Sequence, residues 1–528
     1  MSRHNVLRST VLISACTGLS RVLGFAREMF MAHYFGTSLA KSAFDVAFKV
    51  PNLFRRLFGE GALSAAFIPV FAQTVEEEGA PAANQLLNRM ASLLAAILSL
   101  VVLVGIVAIA AAMAFLPLGE RATAVLPLLQ IMLPYAVLIC VAALCMAALN
   151  ALHHFTLPAL TPLLLNVVWI AALVIVCPRM GASPDARIRA LAWAITIAGV
   201  VQLAVQIPAL GRFGIWLRPS LDWRSPRVRS VMTLMLPAAL GMGVVQINVL
   251  ADGLMALWVG KWAPAALTYA ERLVYLPLGL MGTALGTVLL PTFARQAAAG
   301  RHSEMARTLE ASIQNLMVIV IPLAAGMTVL ARPIVDLTFK GGEFGAESAT
   351  YTARALMFYA PGLIPFSLYK LLVPAFYATK DTRTPVRIGA AMVALNICLN
   401  LTFILTWPEG WGHAGLACAT SLSSLVNCLL LGRVLSRRIT GMRWGETAGI
   451  LASSLTAAAV MAGCVAAAQP VAVAALARLE LAPKVQHLGV LALLGGLGLA
   501  VYAAGAWLLC REALIRALTA RRAAKAAE

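Results

Sequence analysis

Apolar residues run through this chain in long blocks, each bounded by charge, glycine or proline. A helix that crosses a bilayer needs roughly 20 mostly apolar residues. Fourteen blocks meet that need, at approximately 6–34, 43–73, 88–117, 124–152, 158–178, 188–210, 228–259, 265–296, 308–331, 350–378, 385–407, 413–435, 446–469 and 486–511. The pattern predicts an all-α polytopic membrane protein of about 14 transmembrane helices.

An internal repeat organises these blocks. ALSAAFIPVFAQ (62–73) matches ALGTVLLPTFAR (284–295) at Ala62/Ala284, Leu63/Leu285, Pro69/Pro291, Phe71/Phe293 and Ala72/Ala294. A second alignment keeps nearly the same offset and pairs Pro134, Leu144, Ala148, Ala151 and Pro158 with Pro361, Leu371, Ala375, Ala378 and Pro385. Two alignments with matching prolines predict two six-helix lobes around a central cavity. The first covers residues 1–215, the second 216–440, and 441–528 adds helices 13 and 14 with a basic cytoplasmic tail. Duplicated lobes around a central site are a transporter architecture that works by alternating access.

Composition agrees with the pattern. The chain has 528 residues, 61% of them hydrophobic and 12% charged, with mean hydropathy +0.86. Its net charge of +19 would suggest nucleic acid in a soluble domain. In a membrane protein the simpler source is loop Lys and Arg that set topology, and no nucleic-acid partner is expected. Loop bases on the side of the two termini outnumber those on the other side by roughly two to one, which predicts that both termini are cytoplasmic. The nine cysteines are scattered through apolar segments and read as small buried hydrophobes. Zinc-protease, nucleotide-loop and nucleophile-elbow motifs are absent from the sequence, so an enzyme is not expected.

Seven bases lie inside or at the ends of apolar blocks: Arg21, Arg27, Lys49, Arg55, Arg56, Arg272 and Lys370. A charge at bilayer depth costs at least about 2.5–3.5 kcal/mol, so such residues face a wet cavity, a partner or an anionic ligand. Asp45 and Lys49 are spaced as an i,i+4 ion pair with the acid first, and Arg56 has Glu60 nearby. Arg21, Arg27, Arg55 and Arg272 carry forked donors suited to phosphate oxygens and point to an anion such as a pyrophosphate. Lys370 reads as a cavity-rim lysine. A separate polar set, Asp252, Asn396, Asn400 and Thr420, offers oxygens from three helices. Such a set can hold a hard cation such as sodium, or can hydrogen-bond helix to helix.

SRVLGFARE, AFKVPNLFRRLFGEGALSAAFIPVF, YAERL with LGTVLLP, and GLACATS together resemble the MurJ (MviN) family of bacterial lipid II flippases. That family belongs to the multidrug/oligosaccharidyl-lipid/polysaccharide exporter superfamily, and the resemblance covers essentially the whole chain. It implies that Arg21, Arg27, Arg55 and Arg272 bind the pyrophosphate of lipid II; Lys49 and Asp45, from their own spacing, are further candidates for that substrate site. It also implies a lipid-tail groove at 446–511 and, from some members, a sodium site at Asp252, Asn396, Asn400 and Thr420. Two positions depart from the family. Ser42 stands where an acid is frequent, with Asp45 about one turn away, and Asn400 stands where sodium-binding members carry aspartate.

The resemblance therefore implies a monomeric, multi-pass inner-membrane flippase for lipid II, in contact with membrane lipids and needing no cofactor except possible sodium. The competing expectations are a drug/cation antiporter, a flippase for another polyprenyl-pyrophosphate-linked glycan, and a membrane polymerase or transferase acting on the same lipid.

Overall fold

The computed structural model describes residues 3–59, 62–181, 183–220, 222, 224–439, 441–442, 444–479 and 481–509. Among these residues the regular elements are helices, apart from one isolated bridge between Gly341 and Phe344. Each of the fourteen expected segments is built mainly of helix where described. Contacts divide the chain into two units, Met1–Ala265 with Gly341–Phe344, and Ala266–Lys340 with Gly345–Glu528. That division falls at 265/266, whereas the repeat pattern set the lobe boundary at 215/216. Glu60 and the basic tail beyond 509 lie outside the described residues.

The first unit holds α1 (Arg3–Phe35), α2 (Leu39–Phe54), α3 (Ala62–Phe115), α4 (Glu120–Ala151), α5 (Thr156–Ala171), α6 (Pro184–Ala204), α7 (Gln206–Gly211) and α8 (Pro226–Val259). Ser38 caps α2 by accepting from the Lys41 amide at 3.4 Å. Pro51 sits inside α2 without an N–H for the preceding turn, and a π-turn follows over Arg55–Gly59. Within α3, Gly79 has φ 79° and ψ −177°, a conformation side chains avoid, so α3 is two helices joined by a kink. The expected span 88–117 is the part beyond that kink.

The core of this unit is α4, which packs against α2, α3 and α6. Its buried face is rich in small residues, among them Ala142, Ala143, Cys145, Ala147 and Ala148, and small side chains let helices approach closely. The four residues Gly341–Phe344 dock on the turn after α1. The Glu343 amide donates to the His33 carbonyl at 2.9 Å. Gly36 (φ 53°) and Gly342 (φ 58°) make the approach possible, because a Cβ on either would lie 2.3 Å from a facing carbonyl oxygen.

The second unit holds α9 (Ala263–Ala298) from Ala266 on, α10 (His302–Val329), α11 (Ala331–Phe339), α12 (Ala346–Tyr359) and α13 (Leu363–Ala378). It continues with α14 (Arg383–Thr406), α15 (Gly412–Arg438), α16 (Trp444–Ala477) and α17 (Pro483–Leu509). A 3-10 turn over Ala360–Gly362 joins α12 to α13, and together they form the expected span 350–378. The last two helices pack on each other, with Gly498 close to Met461 and Val465. α16 also lies against α10, and the Tyr502 hydroxyl of α17 donates to the Val318 carbonyl of α10 at 2.8 Å.

Eleven helical stretches among the described residues are long and apolar enough to cross a membrane. α1, α2 and α9 are not among them, and each carries charged residues within its length. These are the helices on which most of the basic candidates lie.

Candidate anion-binding site

Arg27 is 6% exposed, yet its guanidinium is well provided for. Nη2 donates to Glu28 Oε1 at 2.7 Å and Nη1 donates to Asn166 Oδ1 at 3.0 Å. The guanidinium also lies 4.0 Å from the centre of the Trp169 ring, where the ring's negative face attracts a cation. α5 supplies both Asn166 and Trp169, and both are fixed in turn. The Asn166 amide donates to the Ser20 carbonyl at 3.2 Å, and the Trp169 indole N–H donates to Met31 Sδ at 3.4 Å. Phe44 and Phe48 of α2 stack edge-on against Trp169, with ring centres 5.2 and 5.3 Å away.

The charge then continues from α1 into α2. Lys41, 1% exposed, places Nζ 2.5 and 2.6 Å from the two carboxylate oxygens of Asp45, and 3.7 Å from Glu28 Oε2. The result is an alternating row Arg27–Glu28–Lys41–Asp45 with no net charge. In a low-dielectric interior such a row is stable only when each member has a partner of opposite sign. Ser42, fully buried beside it, accepts a hydrogen bond from the Ala265 amide at 3.3 Å.

Sequence reasoning offered Arg27 and Asp45 as site residues and a pair of Arg27 with Glu28 as the alternative, and the structure forms that pair; it missed Lys41. It also paired Asp45 with the wrong lysine. Lys49 instead reaches α8, donating to the Val249 carbonyl at 3.3 Å and lying over Gly253. The available signal was that Lys41, too, stands four residues from Asp45.

Arg21 is exposed on α1, about 1.7 turns before Arg27. Arg55 is half-buried at the start of the π-turn and donates from Nε to Asn52 Oδ1 at 2.8 Å, while Arg56 is exposed. In the second unit Arg272 is exposed on α9 beside half-buried Glu271. Lys370 of α13 donates to the Leu278 carbonyl at 3.1 Å.

The polar set divides between the units. Asp252 of α8 accepts from the Asn248 amide at 3.2 Å in the first unit. In the second, buried Asn396 donates to Ser423 Oγ at 3.3 Å and accepts from buried Asn400 at 3.2 Å. Thr420 donates to the Leu416 carbonyl at 3.0 Å, and its own carbonyl accepts from Ser423 at 3.1 Å. These second-unit residues form a neutral hydrogen-bonded cluster between α14 and α15. Among the described residues no group of three or more His, Cys, Asp or Glu is placed to hold a metal ion.

A helical chain with this many apolar spans, and with charged side chains kept inside its less apolar helices, is a multi-pass membrane protein. The family model described as lipid II flippase MurJ matches residues 31–483. The chain is 35% identical over 443 residues to the lipid II flippase MurJ of Burkholderia cenocepacia, covering 82% of this chain and 84% of that protein. It is 34% identical over 470 residues to the probable lipid II flippase MurJ of Vibrio cholerae, covering 87% and 88%.

A solved structure of lipid II flippase MurJ in an inward closed conformation shares the fold, with TM-score 0.74 and 22% identity over 96% of this chain and 100% of that one. An inward-facing multidrug resistance MATE family transporter of the MOP superfamily matches with TM-score 0.66 and 13% identity, covering 81% and 98%. The chain belongs to the lipid II flippase MurJ family, whose members are transporters and not enzymes.

Proposed function

We propose that this protein moves lipid II, the undecaprenyl-pyrophosphate-linked disaccharide-pentapeptide, from the cytoplasmic to the periplasmic leaflet of a bacterial inner membrane. It acts as a monomer with both termini in the cytoplasm, and two lobes alternate in exposing one cationic cavity. Arg21, Arg27, Arg55 and Arg272, with Lys49, supply positive charge to the pyrophosphate while the polyprenyl tail stays in lipid near α16 and α17.

The observation that carries this reading is Arg27. A permanently charged, forked donor stands in the SRVLGFARE segment of α1, fixed in orientation by Glu28, Asn166 and Trp169. Its donors already satisfy Glu28 and Asn166, so a phosphate competes with these groups for a guanidinium whose fork suits it. A drug/cation antiporter fits less well, because it needs acids free for a cationic substrate, and both acids of this network already face bases.

Arg21→Ala, Arg27→Ala and Arg272→Ala, each expressed in a strain depleted of its own flippase, are expected to reach the membrane and fail to sustain growth. Growth supported by all three would overturn the anion site. With labelled lipid II in vesicles, the purified protein is expected to transfer intact substrate between leaflets and to form no glycan. Sodium enters as a separate proposal, with oxygen ligands from Asp252, Asn396, Asn400 and Thr420. An imposed sodium gradient is expected to change the flipping rate, and Asp252→Asn to remove that dependence.

A further inference from the structure

The charged row contains a competition. Glu28 meets both Arg27, at 2.7 Å, and Lys41, at 3.7 Å. Lys41 meets both Asp45, at 2.5 Å, and Glu28, at 3.7 Å. Attraction between charges rises as distance and local dielectric fall, so at present Lys41 is committed to Asp45 and Glu28 to Arg27. Lys41 is 1% exposed, and its charge is shut from solvent, which makes the choice of acid decisive.

We propose that Lys41 and Asp45 are positioning residues which set how firmly Glu28 holds Arg27, and so how readily Arg27 turns to an anionic diphosphate. This inference rests on the reading of Arg27 as part of the anion site. Asp45 draws Lys41 toward itself and leaves Glu28 on Arg27. Neutralise Asp45, and the flexible four-carbon stem of Lys41 swings its ammonium across the gap to Glu28. Glu28 is then shared, and Arg27 is released. Remove the charge of Lys41 instead, and both acids lose a base. Glu28 then falls more tightly on Arg27, and the row gains a net negative charge that repels an anion.

The proposal therefore orders three variants. Asp45→Asn frees Arg27, Lys41→Met ties it down, and the double variant K41M/D45N leaves the Arg27–Glu28 pair much as it is now. A merely structural role gives a different order. Each single substitution would then break a buried pair and weaken the protein and its binding alike.

Two measurements on the full-length protein in nanodiscs test the order. The first is reaction of Arg27 with phenylglyoxal, read by mass spectrometry without ligand. Modification is expected to be faster in D45N than in the unaltered protein, slower in K41M, and close to the unaltered rate in K41M/D45N. The second is equilibrium binding of farnesyl diphosphate, which carries the anionic head without glycan. Affinity is expected to fall on the order of tenfold in K41M, equivalent to about 1.4 kcal/mol, to rise in D45N, and to return in the double variant.

Arg27 in D45N that reacts no faster than in the unaltered protein overturns the proposal, even if K41M fails to fold. So does a D45N protein that binds the diphosphate more weakly. If the unaltered protein does not bind farnesyl diphosphate at all, the anion-site reading fails, while the phenylglyoxal order still decides whether Asp45 controls Arg27.

Discussion

Asp45 has one lysine four residues before it and another four residues after it, and the two have different fates. Considered as an isolated helix, α2 favours the acid-first pair with Lys49 by a few tenths of a kcal/mol at about 0.2–0.5 kcal/mol per pair. The fold reverses that preference. Lys41 is buried beside Glu28 of α1 and must keep acidic company, whereas Lys49 finds a backbone carbonyl on α8. The sequence shows both lysines at the right spacing, but the neighbour that decides between them is 13 or more positions away on another helix.

Gly253 offers a way to perturb Lys49 without touching it. A Cβ at that position would lie 2.8 Å from Lys49 Nζ, at the mobile end of a flexible side chain. In the α8 interior the gain in helix propensity, about 1 kcal/mol, offsets the displacement of Lys49. Gly253→Ala is thus expected to keep the fold while reducing lipid transfer as Lys49→Ala does. Transfer at the unaltered rate would show that the position of Lys49 does not matter.

At the scale of elements, apolar blocks made every long helix legible, because a span announces itself by length and hydropathy. The interruptions were less visible. Neither the π-turn at Arg55–Gly59 nor the short helix α11 follows from hydrophobic periodicity, since both depend on local backbone geometry. Helix starts are more easily argued. At α14, Asp381 accepts from the amides of Arg383 and Thr384 at 3.1 and 3.0 Å, and its other oxygen pairs with Arg438 of α15.

The Thr384 hydroxyl and amide, together with the Arg438 guanidinium, lower the Asp381 carboxyl from its ordinary 3.8 to about 2. A depressed carboxylate stabilises the fold above its unfolded value and loses that effect as the pH falls through its folded value. Asp381→Ala is expected to cost about 1 kcal/mol, as for other lost helix caps. In thermal unfolding the deficit should stay constant from about pH 8 to pH 5 and shrink only below about pH 4. A deficit that changes near neutral pH would contradict the capping role.

At the scale of the whole molecule, repeated residues and contacts divide the chain in different places, because they measure different things. Matching prolines compare one stretch of sequence with another, while contacts report which helices touch. α8 packs on α2 and α3, so it falls within the first unit although its place in the repeat starts the second lobe. The proposed orientation has its own check. A single cysteine at exposed Gly181, between α5 and α6, is expected to react with a membrane-impermeant maleimide in intact cells, whereas one at exposed Gly300 reacts only after lysis. The reverse pattern would invert the topology.

The docking of Gly341–Phe344 on the turn after α1 also has a consequence in time. Those four residues belong by contact to a unit whose main body ends at Ala265. When Ala265 leaves the ribosome, the seat formed by His33 and Gly36 is still empty. It is filled only some tens of residues later, a delay on the order of 4–16 s at about 5–20 residues per second. The first unit is therefore completed during synthesis of the second.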